Sequence, residues 1–251
     1  MQAEEDAMPQ EQVSITTKDR HCPTFVLTPE GNGPWPTVIF YMDGLGMRPA
    51  LVEMAGRLAE EGYIVLLPDT FYRFGAYAPL DPKEVFAGDF RAIVGPMMAT
   101  TDNHKAATDT EVFIAYLDSR KDVKGSNIGT VGFCMGGGMA LTTAGAFPDR
   151  IAAAASYHGG NLATDAQTSL HLLVPRIKAE VYVAGADNDS SYSPEMAERL
   201  ELALSHAGVT NRCEIYPGAA HGWMMPDFPV FDQVAAERGW TEMLSLFQRK
   251  L

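Results

Sequence analysis

A cysteine, a histidine and two aspartates stand in this chain where their chemistry could be combined. Cys134 lies in Gly132-Phe133-Cys134-Met135-Gly136-Gly137-Gly138. The apolar run Asn127 to Gly132 before it reads as a short buried strand, and Met139, Leu141 and Ala144 after it read as a small-residue helix. Glycines in a first helical turn each cost roughly 1 kcal/mol relative to Ala, so Gly136, Gly137 and Gly138 need a reason beyond helix formation. Close backbone approach supplies one. A strained strand-turn-helix lifts its apex side chain above the sheet, and only Gly at flanking positions avoids a Cβ clash. The pattern is a nucleophile elbow with Cys in place of Ser.

A free thiol has a pKa of about 8.5, so a cysteine nucleophile needs a base, a cation or a helix N-terminus beside it. The elbow provides the helix terminus. The base is expected at His221, in Tyr216-Pro217-Gly218-Ala219-Ala220-His221-Gly222-Trp223, a strand end followed by a Gly-containing turn. Among the other histidines only His158 also follows an expected strand into such a turn, and it comes early for the chain order nucleophile, acid, His. A carboxylate must hold the histidine tautomer and stabilise imidazolium. Asp187 and Asp189 both follow the apolar run Val181-Tyr182-Val183-Ala184, and spacing does not choose between them. The oxyanion needs backbone donors, expected from Met135 N–H and Gly44 N–H. Asp43, just before Gly44, reads either as a turn acid or as a carboxylate beside the thiol.

The elements that would position these residues alternate between strand and helix. A strand pair across 12–28 turns at Thr17-Lys18-Asp19-Arg20. Thr37 to Met42 is a continuous apolar run of the kind buried on both faces. A Pro49-started helix carries Leu51, Met54, Ala55 and Leu58 in a helical stripe and stops at Gly62. Further strands are expected at 63–67, around Ile128, and at 151–156, 180–184 and 212–216, with helices at 103–120, after Cys134, at 194–207 and from about Val230. The class is α/β, with a mostly parallel central sheet flanked by helices. Residues 71–101 fit this alternation least and read as a wall over the site or an irregular surface connection.

With 251 residues, 46% of them hydrophobic, residues 13–251 suit one domain, and acidic residues 1–12 read as a flexible tail. A formal net charge of −13 argues against a nucleic-acid partner. No basic, apolar leader opens the chain and no apolar run nears the roughly 18 residues that span a bilayer, so a cytoplasmic location without membrane contact is expected. Cys22, Cys134 and Cys213 are widely spaced, with neither CxxC pairing nor a His-rich metal pattern, so reduced thiols and no metal or cofactor are expected. Monomer and oligomer are both compatible with this reading.

On these residues the chain resembles the dienelactone hydrolase family, the α/β-hydrolases with a cysteine nucleophile in Gly-x-Cys-x-Gly-Gly, over most of its length. The resemblance implies Cys134 as nucleophile and His221 as base. Because the family acid typically precedes a Pro-Glu that opens the next helix, Pro194-Glu195 favours Asp189 over Asp187. It also implies that Arg73, in Pro68-Asp69-Thr70-Phe71-Tyr72-Arg73, contacts a substrate anion. The family's carboxylate after the third strand, usually Glu, is here the shorter Asp43, and a second family Arg, four residues after the histidine, is replaced by Met225. A more apolar lactone or small ester is therefore the expected substrate, with Tyr72, Trp223, Met225 and His158 around it. Other readings are a neighbouring acyl hydrolase activity, such as a thioesterase or peptidase, and a thiol sensor or binding module, which would need no positioned His and Asp.

Overall fold

The computed structural model describes residues 10–251. Its strands are β1 (Gln10–Thr16), β2 (His21–Leu27), β3 (Trp35–Tyr41), β4 (Ile64–Pro68), β5 (Val123–Phe133), β6 (Ile151–Tyr157), β7 (Glu180–Asn188) and β8 (Asn211–Ala220). They form one sheet in the order β1-β2-β4-β3-β5-β6-β7-β8. β1 and β2 make an antiparallel hairpin closed by Thr17 N–H donating to the Arg20 carbonyl. β2 is also antiparallel to β4, and every other neighbouring pair is parallel.

Residues 1–9 of the expected tail lie outside the described residues. Residues 10–12 depart from that expectation: they open β1, with Gln10 opposite Leu27 and Gln12 opposite Phe25. The free edge of β2 offers unpaired backbone groups, and a polar segment can satisfy them through its own backbone whatever its side chains.

Helices α1 (Pro49–Glu60) and α7 (Gln233–Lys250) cover one face of the sheet, and α4 (Asn103–Ser119), α5 (Met135–Ala146) and α6 (Pro194–His206) cover the other. β3 shows why its sequence is apolar throughout. Val38 and Phe40 enter the core with Leu51 of α1 and Phe247 of α7, while Ile39 and Tyr41 enter the core with Phe113 of α4, Leu141 of α5 and Leu200 of α6. Successive side chains point to opposite faces, and both faces are buried.

Two short helices occupy the segment without a clear period: α2 (Pro82–Ala87), capped by Asp81, and α3 (Phe90–Met98), capped by Asp89. At six and nine residues, with Pro96 inside the second, neither is long enough to show a helical stripe. They do stand against the site loops. Phe86 meets Phe228 edge to face at 4.9 Å, and a Cβ on Gly44 would lie 3.6 Å from Met98 Sδ.

The join of β5 to α5 is the tightest place in the fold. A Cβ on Gly132 would sit 1.8 Å from the Gly136 carbonyl oxygen, and one on Gly136 would sit 2.4 Å from the Tyr41 carbonyl oxygen and 2.5 Å from that of Met42. These obstacles are backbone, which cannot rotate away. On Gly138 the Cβ would meet the Asn103 amide at 2.8 Å, a side chain that can. We therefore expect Gly136→Ala to lose about 3 kcal/mol or more of stability and Gly138→Ala distinctly less, measured by urea unfolding. Equal losses would show that the close approach to β3 is not what requires glycine.

Candidate active site

Cys134 occupies the apex of that join with φ +54° and ψ −118°, an unfavourable conformation for a non-glycine residue. One backbone and one side-chain acceptor hold it: Cys134 N–H donates to the Tyr157 carbonyl at 3.0 Å and to His158 Nδ1 at 3.1 Å. Its thiol is free and half-buried. No side chain caps α5, so Met135 N–H, the first of the helix, has no intrahelical acceptor and lies next to the thiol in sequence.

Two further strand ends converge there. His221 follows β8, and Gly222 turns the chain at φ +97° with Phe228 packed where a Cβ would be. Asp189 follows β7, and its Oδ2 lies 2.6 Å from His221 Nδ1. Ser191, whose part the sequence reading missed, steadies the acid: its N–H and Oγ–H donate to Asp189 Oδ1 at 2.8 and 2.6 Å. The only signal for it was the Asp-x-Ser spacing of an Asx turn. Asp187 instead accepts from Gly218 N–H at 3.2 Å and is exposed, so of the two acids it is Asp189 that reaches the histidine.

Burial pushes the Asp189 carboxyl up, but the hydrogen bonds from His221 and Ser191 outweigh it and hold the carboxyl below its usual range. For His221, burial opposes the charge; the bond to Asp189 and the adjoining Cys134 sulfur overcome this and raise its pKa to about 10. The arrangement can thus keep an imidazolium beside sulfur, as thiolate chemistry requires.

The other expected residues are placed as follows. Asp43 is taken up by Arg48 and by its own loop. It is wholly buried, and its two oxygens accept from Arg48 Nη1 and Nη2 at 2.8 and 2.7 Å and from Leu45 N–H at 2.8 Å. Burial raises its pKa and the Arg48 guanidinium opposes that rise. Arg48, which the sequence reading passed over, also donates from Nε to Asp227 Oδ2 at 2.6 Å and lies over the Phe228 ring. It therefore ties the Gly44 loop to the loop after His221. Around Gly44, the N–H groups of Leu45, Gly46 and Met47 are taken by Asp43 Oδ1, the Asp43 carbonyl and Tyr77 Oη, which fixes the loop.

Arg73 is engaged by carboxylates of the chain itself. It donates to Asp19 at 2.6 Å and Asp109 at 2.8 Å and lies over the Tyr72 ring, so its charge is already paired. Tyr72 joins the same network, with its hydroxyl against Thr17 and Asp109 in the core on the α4 and α5 face. Trp223 and Met225 are fully buried in the opposite core, Trp223 stacked 4.3 Å from Tyr216, so neither presents a surface to substrate. His158 is at the site but buried beneath Cys134. Among the described residues no cluster of His, Cys, Asp or Glu could hold a metal ion, and no helix is long and apolar enough to cross a membrane.

The His221–Asp189 pair has a definite pH signature. A raised histidine pKa stabilises the fold fully below pH 6.5, and that contribution disappears as pH rises toward 10. The depressed Asp189 contributes above 3.8 and is lost as pH falls through its folded pKa. The melting-temperature gap between the wild type and Asp189→Asn should be widest between pH 3.8 and 6.5 and should narrow toward pH 10. A gap constant across that range would contradict the pairing.

Comparison with known proteins identifies the family of the chain. The model of the Dienelactone hydrolase family matches residues 22–251. A Synechocystis protein provisionally named a carboxymethylenebutenolidase is 25% identical over 244 residues, spanning 95% of this chain and 96% of that protein. An Escherichia coli K12 protein of the same provisional name is 26% identical over 254 residues, 99% of this chain and 90% of its own. A Klebsiella pneumoniae structure provisionally described as a dienelactone hydrolase shares the fold, with a TM-score of 0.84 at 23% identity, covering 97% of this chain and 99% of that one. The chain is a hydrolase and belongs to the dienelactone hydrolase family.

Proposed function

We propose that the protein hydrolyses lactones or small carboxylic esters through Cys134, His221 and Asp189, by way of an acyl-thioester on Cys134. The observation that carries this reading is the 2.6 Å contact of His221 with Asp189 beside a cysteine held at positive φ on a helix N-terminus. His221 already holds the thiol's proton as the imidazolium that its raised pKa favours, and the sulfur attacks the ester carbonyl. The oxyanion is met by Met135 N–H and Gly44 N–H, groups fixed before the reaction begins. As the tetrahedral adduct collapses, the carbon–oxygen bond to the alkoxide breaks and His221 returns its proton to that oxygen. Water then attacks the thioester with His221 as base, releasing the acid and restoring the thiol.

The substrate side of the reading is apolar and uncharged. The cation expected for a substrate carboxylate, Arg73, is neutralised by Asp19 and Asp109, and Arg48 by Asp43 and Asp227. Burying a carboxylate without a free partner is costly. A thiol sensor would not need the positioned His221, Asp189 and Ser191.

One assay series tests both parts. Cys134→Ala should lower turnover of an activated aryl ester by about 10⁴-fold or more. The wild type should use neutral lactones at least about tenfold better, in kcat/KM, than carboxylate-bearing partners of the same ring, the equivalent of about 1.4 kcal/mol. Retained turnover in Cys134→Ala would remove the nucleophile assignment, and equal use of both lactones would remove the substrate assignment.

A further inference from the structure

His158 takes no step in that scheme, yet it is among the most constrained side chains near the nucleophile. It follows β6, is wholly buried, and holds φ +39°, a region costly for a non-glycine residue. Its own N–H is fixed by the Ala184 carbonyl of β7 at 2.7 Å. From there the ring turns back across β6 to β5 and brings Nδ1 to 3.1 Å from Cys134 N. The next residue presses on the same place, since a Cβ on Gly137 in the first turn of α5 would lie 3.0 Å from Gly159 Cα.

The direction of that hydrogen bond decides the state of the ring. A backbone N–H can only donate, so Nδ1 must offer a lone pair and the neutral ring must carry its proton on Nε2. The surroundings agree. Burial first, and then the charge on His221, whose ring centre is 5.3 Å away, hold the His158 pKa well below its ordinary value. Nε2 is buried without a hydrogen-bond partner among the described residues, so a charged ring would find no acceptor there.

We propose that His158 is a positioning residue for the nucleophile: as the neutral Nε2–H tautomer, its Nδ1 holds the Cys134 N–H and so fixes the elbow apex and the aim of the adjoining Met135 N–H. The Cys134 N–H is shared between this ring and the Tyr157 carbonyl, so the ring supplies one of two restraints at the apex. The inference rests on Cys134 as the nucleophile of the proposed reaction.

The ring state is read directly in wild-type protein labelled with ¹⁵N at histidine. An unprotonated Nδ1 and a protonated Nε2 at neutral pH are expected for His158; a proton on Nδ1 overturns the proposal, whether or not Cys134 acts on esters. The kinetic part compares two variants on an activated aryl ester. His158→Leu removes the acceptor, whereas His158→Asn keeps an acceptor near the Nδ1 position and tolerates positive φ. His158→Leu should lower kcat about tenfold, the worth of one hydrogen bond, with KM changed less than about twofold, and Asn should restore most of kcat. A loss confined to KM, or equal kcat in the two variants, overturns it. If His158→Leu does not fold, the ring ¹⁵N result decides alone. Should Cys134→Ala retain turnover while the tautomer is as expected, the reaction assignment has failed and the elbow restraint has not.

Discussion

The site depends on one steric constraint, the contact of the first turn of α5 with the backbone of β3 and β5. At Gly132 and Gly136 this approach leaves no room for a Cβ, and the backbone between them can join strand to helix only by forcing Cys134 to positive φ. Several consequences follow together. Cys134 stands at the join as the N-cap of α5, and the first N–H of that helix, without an intrahelical acceptor, follows it in sequence. The strain of order 1–3 kcal/mol at such a residue is carried by the ladder on either side and by the hydrogen bonds that clamp Cys134 N–H.

A second constraint keeps the loops in register around that fixed point. Arg48 is buried between Asp43 on the loop after β3 and Asp227 on the loop after β8. Buried ion pairs add little net stability, because desolvation offsets the attraction, but breaking one leaves an uncompensated charge and costs several kcal/mol. The pair is better understood as a geometric tie: it holds the Gly44 and His221 loops to each other. Asp43 is thus engaged with Arg48 and its own loop, and in the proposed reaction His221 is the group that serves Cys134.

The α/β class, the elbow and most strands and helices were legible because they are local. β3 announces itself by a continuous apolar run, α1 by its stripe and its proline, and the elbow by glycines where a helix would disfavour them. His221 was legible because it follows such a strand; Asp187 and Asp189 both follow one, and only the family resemblance at Pro194-Glu195 favoured Asp189. What escaped depends on partners far apart in the chain. Arg48 meets Asp227 across 179 residues, and nothing near either residue signals the other. Arg73 shows the converse: its short motif points to an anion contact, but Asp109 on α4 and Asp19 on the hairpin turn capture the guanidinium. The apolar residues expected around a substrate, Trp223 and Met225, were claimed by the core, since sequence proximity to His221 does not decide which way a side chain faces.

The central claim is that Cys134 carries the acyl group. Acid quenching of the wild type during turnover of an ester with a slowly hydrolysed acyl group, followed by intact-mass and peptide mass spectrometry, tests it most directly. One acyl increment per chain, mapped to Cys134 and removed by hydroxylamine, is the predicted result. An increment on another residue, or full turnover with no acylated Cys134 at any quench time, would contradict the account.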